Sequence, residues 1–337
     1  MYFSIVFLKK GAIVSELAEY ARQLHEKEAV IANRQLEPVQ YPSKTSILYD
    51  VRAIICDVYG TILDYWRSGF KKNESRTETL LQSFRIVADR FGMTSFLIKL
   101  NPSDSPEKTL NDFYNGLIAL NHEKCAKKGI TFPEVKIEEI WALILIMLKR
   151  HGYRSSDFCD IPENELPRYI AFTYNFYSLG RQLYPGVVDC LESLKHSNIV
   201  IGIVSNAQFY TPIDLTLFFR EQSNQKIDDF TEIFDPDLTF FSYEYGVAKP
   251  NPLLFRKLYD ALYEYHILPE QTLFIGNDLL IDIQPAAEAG MKTAFFTGDR
   301  ETTFLQSLEG KIIPDLTFQS WSDLTSKISF YSEEKNK

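Results

Sequence analysis

"AIICDVYGTILD", residues 53–64, decides how the rest of the chain is read. An apolar, β-branched run climbs into Asp57, and Tyr59, Gly60 and Thr61 follow at once. Preceded by Val51 and Arg52, this run predicts a strand buried on both faces, as in parallel sheets. A carboxylate at the end of such a strand is a candidate nucleophile or metal ligand, and Gly60 lets the backbone leave the strand. Taken alone, an Asp-x-x-Gly at a strand end also reads as turn chemistry. Cys56 lies beside Asp57, but alternation along a strand sends its side chain to the other face, where it reads as core packing.

Outward from this stretch the same kind of run returns as "IVIGIV" (199–204), "LTFF" (238–241), "TLFI" (272–275), "KTAFF" (292–296) and, more weakly, "DLTF" (315–318). Helical stretches such as "PNPLLFRKLYDALYEY" lie between them. Such alternation predicts an α/β fold, a Rossmann-like doubly wound parallel sheet covered by helices on both sides. Residues 66–180 break the alternation with helical patterns alone, including "ESRTETLLQSFRIVADRF" and "KIEEIWALILIMLKRHG". An all-helical cap domain over a site at the sheet edge is the expectation there. The core is then 51–65 plus 181–330, residues 1–50 form a helical extension, and 331–337 form a polar tail.

With 45% hydrophobic and 14% aromatic residues, the 337-residue chain can fill a real core. A formal charge of −9 argues against nucleic-acid or anionic-membrane partners. It still permits an anionic substrate, because a metal ion and local dipoles reverse the sign inside a pocket. Cys56, Cys125, Cys159 and Cys190 contain no CxxC pair, which fits a reducing compartment. "MYFSIVFLKK" lacks a positive segment before its apolar run and a cleavage site after it, so a signal peptide is a poor fit. No apolar run approaches the roughly 18 residues that span a bilayer. A soluble cytoplasmic protein is expected, with nothing in the sequence that fixes its oligomeric state.

Open α/β sheets bind ligands beyond the carboxyl ends of their strands, so the residues after each apolar run are the ones to interrogate. After "IVIGIV" comes "SNAQ", where Ser205 and Asn206 offer a hydroxyl and an amide to an anionic oxygen, or a helix cap. In "YGVAKPNPLLF", Lys249 lies between Gly246 and Pro250, either solvated or reaching back to neutralise charge near Asp57. "LFIGNDLLIDIQ" places Asn277, Asp278 and Asp282 after a buried strand, and several oxygen ligands at one strand end suit Mg²⁺.

In this order, with a helical insert after the first, the four motifs resemble the haloacid dehalogenase superfamily of hydrolases over residues 51–330. "YPGVVDCLESLKHSNIVIGIVSNA" and "AEAGMKTAFFTGD" are similar to that superfamily too, and "GITFPEVKIEEIWALIL" to a stretch in uncharacterised members. The resemblance implies that Asp57 is the nucleophile and that the Tyr59 carbonyl helps to hold Mg²⁺. It implies substrate contacts from Gly60, Thr61, Ser205, Asn206 and Lys249, with metal ligation by Asp57, Asp278 and Asp282. The fourth motif aligns in two ways, with either Asn277 or Asp278 at the first acidic position.

Phosphatases of the superfamily usually carry a second Asp where Tyr59 stands, and a phenol of pKa about 10 is a poor replacement acid near neutrality. "DVYGTILD" is instead similar to the 2-haloacid dehalogenases, which attack carbon without a metal and hold the halide with an insert arginine; Arg85 lies at a plausible distance for that role, although an arginine on a helix more often reads as solvated. "GNDLLID" resembles the phosphatase metal motif, and a metal beside a nucleophilic Asp fits phosphoryl transfer. The expectation is a Mg²⁺-dependent phosphatase of a small phosphorylated metabolite, working through an aspartyl-phosphate. Two alternatives stand: a metal-independent, dehalogenase-like hydrolase, and a binding or regulatory protein with weakened catalysis. His122 and His151, the histidines of the insert, read as surface residues.

Overall fold

A computed structural model describes residues 3–28, 35–64, 73–179 and 182–330. The expected polar tail (331–337) and the first residues of the expected insert (66–72) lie outside the described residues. The strands are β1 (Leu48–Val51), β2 (Ala53–Cys56), β3 (Leu63–Asp64), β4 (Gln182–Leu183), β5 (Val200–Ser205), β6 (Thr239–Phe241), β7 (Thr272–Gly276), β8 (Lys292–Phe296), β9 (Leu316–Phe318) and β10 (Ile328–Phe330). Six of them form one parallel sheet in the order β6-β5-β2-β7-β8-β9. Each of the six holds one of the apolar runs read from the sequence.

β2 lies mid-sheet, and all four of its residues are buried. Its Ile54 and Cys56 pack into a cluster on one face, and Ala53 and Ile55 into a cluster on the other. Helices cover both: α7 (Val187–His196) and α8 (Thr211–Gln222) the first, α10 (Pro252–Glu264) and α11 (Gln284–Glu288) the second. Two burying faces are why the run carries no polar alternation. The run from Val51 is nevertheless split. Asp50 takes a left-handed φ of 53°, and β1 leaves to pair with β10 in a separate two-stranded sheet.

Cys56 is level with Ile203 of β5 and Ile275 of β7. Asp57 therefore emerges at the same edge as Ser205 and Asn277. Leu63 and Asp64 of β3 pair antiparallel with Leu183 and Gln182 of β4, so the chain leaves and re-enters the core at one point.

Between β3 and β4 the described elements are helices: α2 (Asn73–Arg90), α3 (Thr94–Leu100), α4 (Pro106–Lys127), α5 (Ile137–Lys149), a short 3-10 turn at Ser155–Asp157, and α6 (Leu166–Ser178). Along α5 the buried residues Ile137, Ile140, Trp141, Ile144, Leu145 and Leu148 recur at helical spacing. Burial of each such side chain contributes about 1.5–3 kcal/mol. The insert does not close on itself. Its apolar cluster takes in Leu17, Ala21 and Leu24 of α1 (Phe3–Glu28), and Phe209, Tyr210 and Ile213 around the start of α8. Two short helices, α9 (Ser242–Tyr245) after β6 and α12 (Trp321–Leu324) after β9, complete the described fold. Among the described residues no helix is long and apolar enough to cross a membrane.

Candidate active site

Asp57 follows β2 with its N–H donated to the Ile275 carbonyl at 2.8 Å, which aims the residue over the sheet edge. Its side chain is 8% exposed and its carboxylate unevenly held. Oδ1 accepts from Lys249 Nζ at 2.7 Å and from Ser205 Oγ at 3.0 Å. Oδ2 has a long contact, 3.3 Å, from the Thr61 hydroxyl.

Lys249 arrives from the loop after α9, and its side chain is fully buried. The same ammonium donates to Asp282 Oδ1 at 2.5 Å and lies 5.6 Å from the centre of the Phe274 ring. Burial alone would strip the charge from a lysine. Asp282 and Asp57 outweigh that burial and hold the ammonium above its ordinary value. Asp282 responds the other way: burial pushes it up to about 7, although Lys249 opposes the shift. Two carboxylates thus share one buried ammonium.

Two glycines make this convergence possible. Gly60 has φ +84°, and a Cβ there would lie 2.2 Å from Asn277 Nδ2. A Cβ on Gly276 would lie 2.4 Å from the Cβ of Asp282, so any larger residue would expel that carboxylate.

The fourth motif divides its work. Asp282 Oδ2 accepts the backbone N–H groups of Asn277 and Asp278 at 3.2 and 3.1 Å. Asn277 turns toward the first motif, where its Oδ1 accepts from Thr61 Oγ1 at 2.9 Å and its Nδ2 donates to the Thr302 carbonyl at 2.6 Å. Asp278 caps the single π-helical turn Leu279–Ile283, accepting from Leu280 N at 2.7 Å and Ile281 N at 3.2 Å. Both its oxygens also accept from Gln306 Nε2, at 3.0 and 2.8 Å.

The structure thus brings Asp57, Thr61, Ser205, Lys249, Asn277 and Asp282 together around the turn at Gly60. Asn206 lies behind them: its Oδ1 accepts the Lys249 N–H at 2.6 Å and its Nδ2 donates to the Lys249 carbonyl at 3.2 Å. It braces the lysine's backbone where the sequence pointed to substrate oxygens. The Tyr59 hydroxyl hydrogen-bonds Thr211 Oγ1 at 2.7 Å, at the start of α8. Arg85, His122 and His151 are exposed on the insert.

Of the Asp278–Asp282 pair expected for a metal, Asp278 accepts from its cap and from Gln306, and Asp282 from Lys249 and two backbone N–H groups. Among the described residues no group of three His, Cys, Asp or Glu side chains could hold an ion. A smaller oxygen set is present. Asp57 Oδ2 and Asn277 Oδ1 both face the single proton of Thr61, so acceptors outnumber donors there. Oxygen ligands with one carboxylate fit Mg²⁺, which fills its shell with water and substrate oxygens.

Several supports were not read from the sequence. Trp321 Nε1 donates to the Thr61 carbonyl at 3.0 Å, and Tyr184 donates to Asp299 at 2.8 Å beside Thr302. Asp299 follows β8 and carried the same strand-end signal as Asp57; Gln306 had no local signal at all.

A family model of haloacid dehalogenase-like hydrolases matches residues 51–290. Over 112 residues the chain is 31% identical to a glyceraldehyde 3-phosphate phosphatase of Pyrococcus furiosus, covering 33% of this chain and 41% of that protein. The chain therefore spans less than half the length of that relative. It is 25% identical over 206 residues to the Rhythmically expressed gene 2 protein of Drosophila melanogaster, covering 59% of this chain and 72% of that one. Among solved structures, a 2-haloacid dehalogenase from Pseudomonas syringae superposes with a TM-score of 0.52 at 16% identity, over 82% of this chain and 97% of that one, a likeness of fold. With the family model spanning most of its length, from the first strand through the fourth motif, this chain belongs to the haloacid dehalogenase-like hydrolases.

Proposed function

We propose that the protein is a Mg²⁺-dependent phosphatase of a small phosphorylated metabolite, with Asp57 as nucleophile. The observation that carries this is the asymmetry of Asp57: Oδ1 is fixed by Lys249 and Ser205, while Oδ2 keeps its lone pairs nearly free. Oδ2 attacks phosphorus, the bond to the leaving oxygen breaks, and an aspartyl-phosphate forms. Water then attacks phosphorus and the P–O bond of that acyl phosphate breaks, releasing phosphate and restoring the carboxylate. Lys249 balances the charge of Asp57 and the transferring group, and Asp282 holds Lys249 in place. The residues that would hold Mg²⁺ are Asp57, Asn277 and the Tyr59 carbonyl, and the ion would supply neutralisation of phosphoryl oxygens. The stretch shared with the Pyrococcus furiosus phosphatase supports phosphorus as the centre attacked. Four free cysteines support a reducing, cytoplasmic setting.

Tyr59 favours a second reading. A phenol bonded to Thr211 is a weak acid for a departing alkoxide, so acyl and aryl phosphates should be turned over faster than alkyl phosphates. Carbon attack with halide departure would need no acid. Assays on aryl, acyl and alkyl phosphates and on 2-haloacids, each with Mg²⁺ and with EDTA, separate these readings. The expected result is turnover of activated phosphates that EDTA abolishes and Mg²⁺ restores. Turnover of 2-haloacids in EDTA would replace this proposal with the dehalogenase reading, and no turnover by well-folded protein would leave the binding protein.

A further inference from the structure

The segment 131–137 of the insert, which runs from the loop after α4 into the first residue of α5, touches both loops that supply the pocket. On the Lys249 side, the Glu134 N–H donates to the Gly246 carbonyl at 3.0 Å and the Ala248 N–H to the Phe132 carbonyl at 2.8 Å. Pro133 and Val247 form an antiparallel bridge between these bonds, and Asn251 Nδ2 donates to the Thr131 carbonyl at 2.7 Å. On the Ser205 side, the amide of Gln208 is wholly taken up by the same segment. Its Nε2 donates to the Val135 carbonyl at 2.9 Å and to Glu134 Oε1 at 3.0 Å, and its Oε1 accepts the Ile137 N–H at 3.1 Å. Glu134 Oε2 accepts from Ser242 Oγ at 2.8 Å, and that oxygen accepts the Ala207 N–H at 2.9 Å.

We infer that residues 131–137 are a fixed clamp across the two loops, with Gln208 and Glu134 as positioning residues for Ser205 and Lys249. A lid lifting at this seam would break every one of those hydrogen bonds, so motion of the insert is confined to its other edges. Asn206 completes the frame: it follows Ser205, holds the backbone of Lys249, and lies two residues before Gln208. Burial raises the Glu134 carboxyl, while Ser242, the Val135 N–H and Gln208 favour its charged form. The three donors are what keep a carboxylate tolerable in that seam. The inference rests on the proposed roles of Asp57 and Lys249, and on neither the metal nor the substrate.

The test compares Gln208→Ala, Glu134→Ala and Glu134→Gln with the wild type, by amide hydrogen exchange and by kcat and KM. In Gln208→Ala and Glu134→Ala, exchange at Ile137, at Ala248 and at the residue after Pro133 should rise on the order of tenfold, with β2 and β7 amides unchanged. In both, kcat should fall on the order of 10–100-fold, as displaced catalytic groups do, with a smaller change in KM. Glu134→Gln should restore both readouts, because its new N–H can donate to Ser242 Oγ, whose proton turns to the Ala207 carbonyl at 3.2 Å. Unchanged exchange at Ala248 would overturn the clamp, and faster exchange with unchanged kcat would overturn the positioning role. Should Gln208→Ala also expose β2 and β7, Ser242→Ala, a milder cut in the same seam, decides on the same amides. A wild type inactive on every substrate would refute the proposed function, while the exchange pattern would still decide the clamp.

Discussion

The pocket at the strand ends and the interior of the helical insert are both buried, yet they are held by different forces. In the pocket, Lys249 binds two carboxylates at 2.7 and 2.5 Å, and backbone N–H groups take the remaining oxygen of Asp282. In the insert, the rings of Phe84, Tyr114, Trp141 and Tyr174 pack with centroids 4.3–6.2 Å apart, and the buried indole Nε1 of Trp141 has no hydrogen-bond partner among the described residues. Directional, charged contacts fail when one atom changes, whereas ring packing responds to volume. Substitutions that keep shape and change charge should therefore cripple the first region and spare the second.

The largest effect tests that contrast at Asp57. Asp57→Asn keeps the shape, and Lys249 retains Asp282, so the fold should survive. Turnover should fall on the order of 10⁴-fold or more, the scale of losing a nucleophile. The matching change in the insert, Trp141→Phe, keeps an aromatic ring and should leave turnover close to wild type. Steady-state kinetics with a far-UV circular dichroism melt would check both. Activity within tenfold of wild type in folded Asp57→Asn would break the contrast and the mechanism together.

The next effect is on stability. Lys249→Met leaves Asp57 and Asp282 buried without their shared cation and should cost about 3–5 kcal/mol. Trp141→Ala should cost a similar amount, about 3–5 kcal/mol, by leaving a cavity. The two differ in pH dependence. Burial already raises Asp282 from 3.8 to about 7 in the folded protein, so stability from this group is present at low pH and lost as pH rises through about 7. Without Lys249, which opposes the rise, Asp282 holds its proton more tightly still, and the deficit of Lys249→Met should grow from acid toward neutral pH. The Trp141→Ala deficit should stay level. Urea unfolding across that range measures both, and parallel profiles would show that Lys249 stabilises by packing alone.

Much of this contrast was legible in the sequence. Continuous apolar runs marked the core strands most clearly where both faces are buried, as in β2 and β7, and more weakly at the edge strand β9, whose Thr317 is half-buried; parallel pairing then delivers Asp57, Ser205 and Asn277 to one edge. What lay hidden depends on partners distant along the chain. Asn277 and Asp278 are equally plausible ligands by position, and their division of labour follows from Gln306, 28 residues on, and from the room that Gly276 leaves for Asp282. Gln208 and Glu134 meet across 74 residues, and neither carries a local pattern that announces it. The run from Val51 is split at Arg52, between β1, which contains the left-handed Asp50 and pairs with β10, and β2, and apolar periodicity does not register that change of partner.

The smallest effect separates those two neighbours. Asparagine is as good a helix cap as aspartate, so Asp278→Asn should still accept from Leu280 and Ile281. What it gives up is one acceptor: with Oδ1 on those N–H groups, the new Nδ2 faces the Gln306 Nε2 donor, and the loss of that contact costs roughly 0.5–1.5 kcal/mol. Because Asp278 faces Gln306 and not Thr61, the Mg²⁺ concentration that gives half-maximal activity should stay at its wild-type value. Asn277→Asp is the opposite case: its side chain shares the Thr61 proton with Asp57, and a second carboxylate there should lower that concentration. Magnesium titrations of the two variants decide between them. A tenfold higher requirement in Asp278→Asn would mean that Asp278 abandons its cap to reach the ion, and that the pocket rebuilds its fourth motif when loaded. An unchanged requirement in both would remove Asn277 from the ligand set and leave Asp57 as its one side-chain donor.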